Sequence, residues 1–135
     1  MVVCSLSLVA QDSEPPAPQD LQRFGYSFLT GDTAVWAYIQ DDDMYHLAKA
    51  INKRDSVQLN SIKRDDFYFF GLALLKLDKT QLEKLRNDDL YFVGAAILER
   101  TIAYLENVKS DEFYFLGRAI VLRNIKELDN IKPKQ

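Results

Sequence analysis

One unit of sequence is written four times between Asp42 and Pro133. Asp65-Asp66-Phe67-Tyr68-Phe69-Phe70-Gly71 returns as Asp88-Asp89-Leu90-Tyr91-Phe92-Val93-Gly94 and again as Asp111-Glu112-Phe113-Tyr114-Phe115-Leu116-Gly117, each time 23 residues on. Asp42-Asp43-Met44-Tyr45-His46-Leu47-Ala48 is a degenerate first copy. The second half keeps step, with Leu59, Leu82, Leu105 and Leu128 in one column and Ile62, Leu85, Val108 and Ile131 in another. Self-similarity at a fixed period of this size marks a stacked repeat architecture. Sliding residues 19–41 by the same step sets Asp20 on Asp43, Phe24 on Leu47, Gly25 on Ala48 and Trp36 on Leu59. The chain therefore divides into a tail and Pro-rich linker over 1–18, an eroded copy over 19–41, and repeats over 42–64, 65–87, 88–110 and 111–133.

Each copy reads as a helix hairpin. Asp42, Asp65, Asp88 and Asp111 are expected as N-caps, and the acid after each favours the positive end of the helix dipole. Over 66–77, Phe67, Phe70, Gly71 and Leu74 fall at the i, i+3, i+4, i+7 spacing of a buried face, while Phe69 and Lys76 lie opposite, on the expected wet side. A helix-interior glycine costs about 0.5–1 kcal/mol relative to alanine. Its return at Gly71, Gly94 and Gly117 implies that a neighbouring helix comes close. The second helices are expected at 80–86, 101–108 and 123–131, too short to form without packing on the first. The fold expectation is an all-α, right-handed solenoid of short helix hairpins. Five such units predict an open, curved rod on the order of 45 Å long. In an open rod Gly25 lies in an end copy, so replacing it with a large residue should be milder than the same change at Gly94.

The first-helix pattern, Phe67, Phe70-Gly71, Leu74 and its counterparts Leu90, Val93-Gly94, Ile97 and Phe113, Leu116-Gly117, Ile120, resembles the first helix of tetratricopeptide and Sel1-like repeats. Those families use periods of about 34 residues or more. The resemblance covers about half of each unit and implies antiparallel helix pairs in a right-handed stack and, by analogy, a binding scaffold.

Composition narrows function by exclusion. With net charge −3, the 135-residue chain lacks the basic face of a nucleic-acid binder. Lysines and arginines are scattered among acids, with no polybasic membrane patch in the sequence, and no apolar run is long enough to span a bilayer. Met1–Ala10 is apolar and Gln11–Gln19 is polar with Pro15, Pro16 and Pro18, a combination like the end of a secretory signal followed by an extended tether. The protein is accordingly expected in the periplasm or secreted; the other reading is a cytoplasmic chain with a disordered tail. Cys4 is the single cysteine, so no intrachain disulfide forms. A lipid anchor on it is disfavoured because Val3 stands where a small residue is usual.

Chemistry is sparse. His46, the single histidine, occupies the slot of Phe69, Phe92 and Phe115, and with one cysteine no Cys/His zinc set can be assembled. No metal or cofactor is expected, each repeat glycine is isolated rather than part of a phosphate loop, and the chain reads as a non-enzyme. Tyr45, Tyr68, Tyr91 and Tyr114 form a ladder, one per repeat. They either pack between successive helices or grip a partner, since tyrosine offers a large area at small entropic cost. The functional expectation is a scaffold binding a protein or peptide through this ladder. The alternatives are an inhibitor or immunity-type protein blocking one partner, and a small enzyme or ligand-binding domain with a pocket near His46.

Overall fold

The computed structural model describes residues 16–132. Residues 1–10, with their signal-like character, and most of the linker lie outside the described residues. Among the described residues the protein is all-α. Five α-helices, α1 (Pro18–Thr30), α2 (Asp42–Lys53), α3 (Asp65–Lys76), α4 (Asp88–Glu99) and α5 (Asp111–Leu122), are each followed by a short 3-10 segment. These are η1 (Ala34–Tyr38), η2 (Ser56–Ser61), η3 (Lys79–Lys84), η4 (Ile102–Asn107) and η5 (Ile125–Asn130). The 23-residue step is thus a structural step.

Several local expectations are corrected. Pro18 belongs to α1 and not to an extended linker, because proline at the first helical position loses an amide hydrogen that has no partner there anyway. The N-caps of α2 to α5 are Asp41, Arg64, Asn87 and Ser110, one residue before the expected aspartates, which occupy the first helical position instead. The second helices are tight 3-10 turns of five or six residues rather than α-helices. After each α-helix one residue takes the left-handed conformation: Gly31, Arg54, Leu77, Arg100 and Arg123. The next side chain, from Asp32, Asp55, Asp78, Thr101 or Asn124, accepts the amide hydrogen two residues on, at 2.9–3.2 Å. That local bond caps the start of each short turn.

Leu77 illustrates the cost. Its φ is 52° and its side chain is 79% exposed, so it bears left-handed strain while burying little. The left-handed region costs a non-glycine residue about 1–2 kcal/mol, of which glycine's extra freedom in the unfolded chain takes back part. Leu77→Gly should therefore stabilise the protein by about 0.5–1 kcal/mol, read as a higher melting temperature.

One acid in the first turn of α1 to α4, third in α1 and second in the others, does more than meet a helix dipole. Asp20 accepts the amide hydrogens of Gln40 and Asp41 at 3.0 and 2.9 Å. Asp43 does the same for Lys63 and Arg64, Asp66 for Arg86 and Asn87, and Asp89 for Lys109 and Ser110. Each carboxylate thereby fastens the chain segment that enters the next helix. In the last copy the equivalent place falls on Lys132 and Pro133, and proline has no amide hydrogen to give. Glu112 there accepts from the Ser110 hydroxyl instead, at 2.5 Å.

The expected open rod is corrected most strongly. Among the described α-helices, each packs against two others: α1 on α2, α2 on α3, α3 on α4, α4 on α5, and α5 back on α1. Each 3-10 segment lies against its own α-helix and the next one, and η5 lies against α1. The stack closes into a ring of five. Gln22 ties the seam by donating to the carbonyls of Leu128 and Ile131 at 3.0 and 2.7 Å.

Glycine makes the closure possible. A Cβ at Gly71 would sit 2.6 Å from Leu59 Cδ2 and 2.8 Å from Leu47 Cδ1. At Gly94 it would meet Leu82 at 2.7 Å, and at Gly117 Leu105 at 2.6 Å. At Gly25 it would meet Leu128 at 2.7 Å and Leu116 at 2.9 Å, the same arrangement repeated across the seam. In the one interface where Trp36 replaces the leucine, Ala48 replaces the glycine. The eroded copy also substitutes a polar network: Trp36 Nε1 and Asn52 Nδ2 both donate to Ser27 Oγ, at 2.9 and 2.6 Å.

The buried face follows from these contacts. The 3-10 segments approach through the helix flanks that carry the Phe69, Gly71 and Ala73 columns. The Phe67 and Phe70 columns point away from that layer yet are buried in every copy: Leu21, Met44, Phe67, Leu90 and Phe113, then Phe24, Leu47, Phe70, Val93 and Leu116. They bury one another inside the ring and belong to one continuous cluster. Fully burying a side chain of this size is worth about 1.5–3 kcal/mol. Phe69, assigned by the sequence to the wet side, is half-buried under η3, with Lys84 Nζ 5.1 Å from its ring centre.

Candidate interaction surface

The tyrosine ladder stands on the flank of each α-helix that faces the 3-10 segment of the preceding repeat. The first copy fixes this direction, because Gln22 occupies the tyrosine column and reaches the end of η5. Tyr45, Tyr68, Tyr91 and Tyr114 are each half-buried. Each meets the ring of the following residue edge-on: Tyr45 with His46, Tyr68 with Phe69 and Tyr91 with Phe92 at 5.2 Å, and Tyr114 with Phe115 at 5.1 Å. T-shaped pairs at such distances add about 0.5–1.5 kcal/mol beyond area burial. They also fix the side-chain angle of each tyrosine, so its exposed edge is presented in one orientation. Lys49 Nζ lies 5.0 Å from the Tyr45 ring centre, and the Arg118 guanidinium lies 5.9 Å from that of Tyr114. The four are brought to equivalent places in successive repeats rather than to one point.

His46 takes the place that phenylalanine holds in the three following copies, and its Nδ1 is buried with no hydrogen-bond partner among the described residues. It packs as an aromatic ring against Tyr45. Among the described residues, no group of three His, Cys, Asp or Glu side chains is placed to hold a metal ion.

The densest charge cluster joins α2 to α3. Arg64 donates through Nε to Asp43 at 2.8 Å and through Nη2 to Asp41 at 2.5 Å, while its guanidinium lies 4.6 Å from the Phe67 ring centre. Burial alone would pull the arginine pKa down, but the bonds to Asp43 and Asp41 outweigh it and raise it above the ordinary value. The cluster is a fastening of the fold, because Asp43 is the carboxylate that also holds the entering chain. A smaller group lies on the surface: Lys79 and the Tyr104 hydroxyl both donate to Glu99, and these bonds hold the glutamate below the usual carboxylate range.

Sequence reading placed the tyrosines but missed Gln22 as a seam residue. The available signal was its position, since a hydrogen-bonding amide replaces tyrosine in one copy alone. Comparison with models of known families, with curated proteins and with solved structures finds no match for this chain.

Proposed function

We propose that the chain is a small helical-repeat scaffold, a right-handed solenoid of helix hairpins bent round until it closes, that binds a protein or peptide partner. In this reading it is not an enzyme, it is exported, and its α-helices are kin in design to tetratricopeptide and Sel1-like first helices. The tyrosine ladder carries the partner. The observation behind this is the repetition of one aromatic pair at one spacing and one angle in four successive repeats. Packing alone needs no tyrosine hydroxyl, and the half-exposed edge of each ring is available for contact. Tyrosine is among the residues that dominate binding energies, with losses of about 2 kcal/mol or more on truncation.

The full chain should capture a stoichiometric protein partner from periplasmic or medium fractions. The double variant Tyr68→Ala, Tyr91→Ala should lose at least about tenfold of that capture. The variant Tyr68→Phe, Tyr91→Phe, which keeps the rings, separates loss of contact from loss of packing. Capture unchanged in both variants would overturn the ladder as the binding surface, and recovery of the chain solely from the cytoplasm would overturn export.

A further inference from the structure

We propose that the rim of the ring formed by the α-to-3-10 turns docks on an anionic lipid surface. This goes beyond partner binding by the tyrosines, which lie on another face. Each 3-10 segment returns the chain to the start of the next α-helix, so all five α-helices run the same way and all five turns gather at one end. Large exposed apolar side chains gather there too. Val57, Leu77, Ile102, Leu122 and Ile125 all lie at these turns, and Tyr38 alone among the exposed large apolar residues lies at the other end. A soluble protein ordinarily scatters such residues singly, and their collection on one surface marks an interaction site.

The partner's shape follows from their distribution. They come from four different repeats and stand around a ring, so a single peptide strand would meet one or two of them. A planar surface meets all of them at once. Its charge follows from the neighbouring residues. Lys76 precedes Leu77, Arg123 follows Leu122, and Lys126 follows Ile125. These cations, with Arg54 and Arg100, are exposed and make no salt bridge among the described residues. The acids of the same rim are engaged: Asp32, Asp55 and Asp78 accept turn amides, and Glu99 is held by Lys79 and Tyr104. Acids gather at the other end, where the α-helices start, so this rim is left with more cations than acids and with aliphatic tips between them. That alternation of shallow apolar insertion and positive charge is the chemistry of binding at an anionic bilayer interface. No described helix is long and apolar enough to cross a membrane, so the attachment is to the surface.

The test is co-sedimentation of the full chain with vesicles of phosphatidylcholine, with and without phosphatidylglycerol. The chain should sediment with the phosphatidylglycerol vesicles and be released by salt. Arg100→Glu combined with Arg123→Glu should weaken this by at least about a hundredfold. Leu77→Gly combined with Leu122→Ser should weaken it about tenfold or more. Leu77→Gly alone is expected to raise the melting temperature, so weaker binding by that single variant is not loss of fold, and a thermal melt of the double variant checks Leu122→Ser. Lys109→Glu, at the opposite end, should leave sedimentation unchanged. No sedimentation with anionic vesicles, or sedimentation indifferent to the rim substitutions, overturns the proposal. So does rim-dependent capture of an acidic protein without vesicle binding, which would make the rim a protein interface.

Discussion

Gly25→Leu should destabilise the protein as severely as Gly94→Leu, each by about 2–3 kcal/mol. An open stack predicts otherwise, because Gly25 would lie in a terminal copy with one neighbour. In the ring it has two. The first carbon of any side chain there would fall 2.7 Å from Leu128 and 2.9 Å from Leu116, against 2.7 Å from Leu82 at Gly94. A leucine must drive the packed segments apart at either site. Alanine is the informative companion. Its gain in helix propensity, about 0.5–1 kcal/mol, is set against contacts inside 3 Å with leucine methyl groups that can turn aside. The net effect of Gly→Ala should therefore be small at both sites. Thermal or urea melts of the four variants decide the matter: a Gly25→Leu loss less than half that of Gly94→Leu would mean that the seam is open in solution.

Asp43→Ala should cost about 3–5 kcal/mol, the range for breaking a buried, hydrogen-bonded ion pair by removing one partner. Asp43 is 6% exposed in its side chain and Arg64 10%, so neither the guanidinium nor the amides of Lys63 and Arg64 gain water readily when the carboxylate goes. Asp66→Ala removes the same two-amide fastening one repeat later, where the side chain is half-exposed and, among the described residues, no arginine side chain pairs with it. That loss should be about 1–2 kcal/mol. The difference isolates the arginine. Arg64→Met, which keeps the apolar stem over Phe67, should still lose stability if the charge is what Asp43 requires. Equal losses for Asp43→Ala and Asp66→Ala in denaturant titrations would assign the whole effect to the amides.

Much of the fold was legible because the period is strict. The helix positions, the inward columns of Phe67 and Phe70 and the meaning of the glycines all follow from 23-residue spacing and helical geometry. The errors share a physical cause. Apolar spacing over six residues does not separate an α-turn from a 3-10 turn, so the short second segments look α-helical in the sequence. Phe69 was assigned to water because the wheel shows one helix at a time, and η3 covers the side opposite the core. Three phenylalanines in that column were the unread signal.

Ring closure was written in the sequence as a pairing. Leu59, Leu82 and Leu105 each precede a glycine by 12 residues, whereas Leu128 has no partner downstream and Gly25 has no leucine upstream. The two unmatched members belong to each other. The tyrosine ladder was legible as a column, although its orientation depended on which flank the preceding segment covers. The sorting of charge between the two ends was not legible. It depends on all α-helices running in one direction, which a composition averaged along the chain conceals.

A closed circle of repeats has no ends from which to fray. In a linear array the terminal unit leaves by giving up one interface, so unfolding begins there and travels inward. Here every unit is an interior unit, and releasing any one of them breaks two interfaces together. Losing one unit therefore costs two of the five helix interfaces at once, and unfolding is expected to be more cooperative than in a linear array of the same length. The same property carries a kinetic burden. The seam contact, Gln22 with Leu128 and Ile131, spans 106 and 109 residues of chain, so closing the circle carries the loop-closure cost of nearly its whole length.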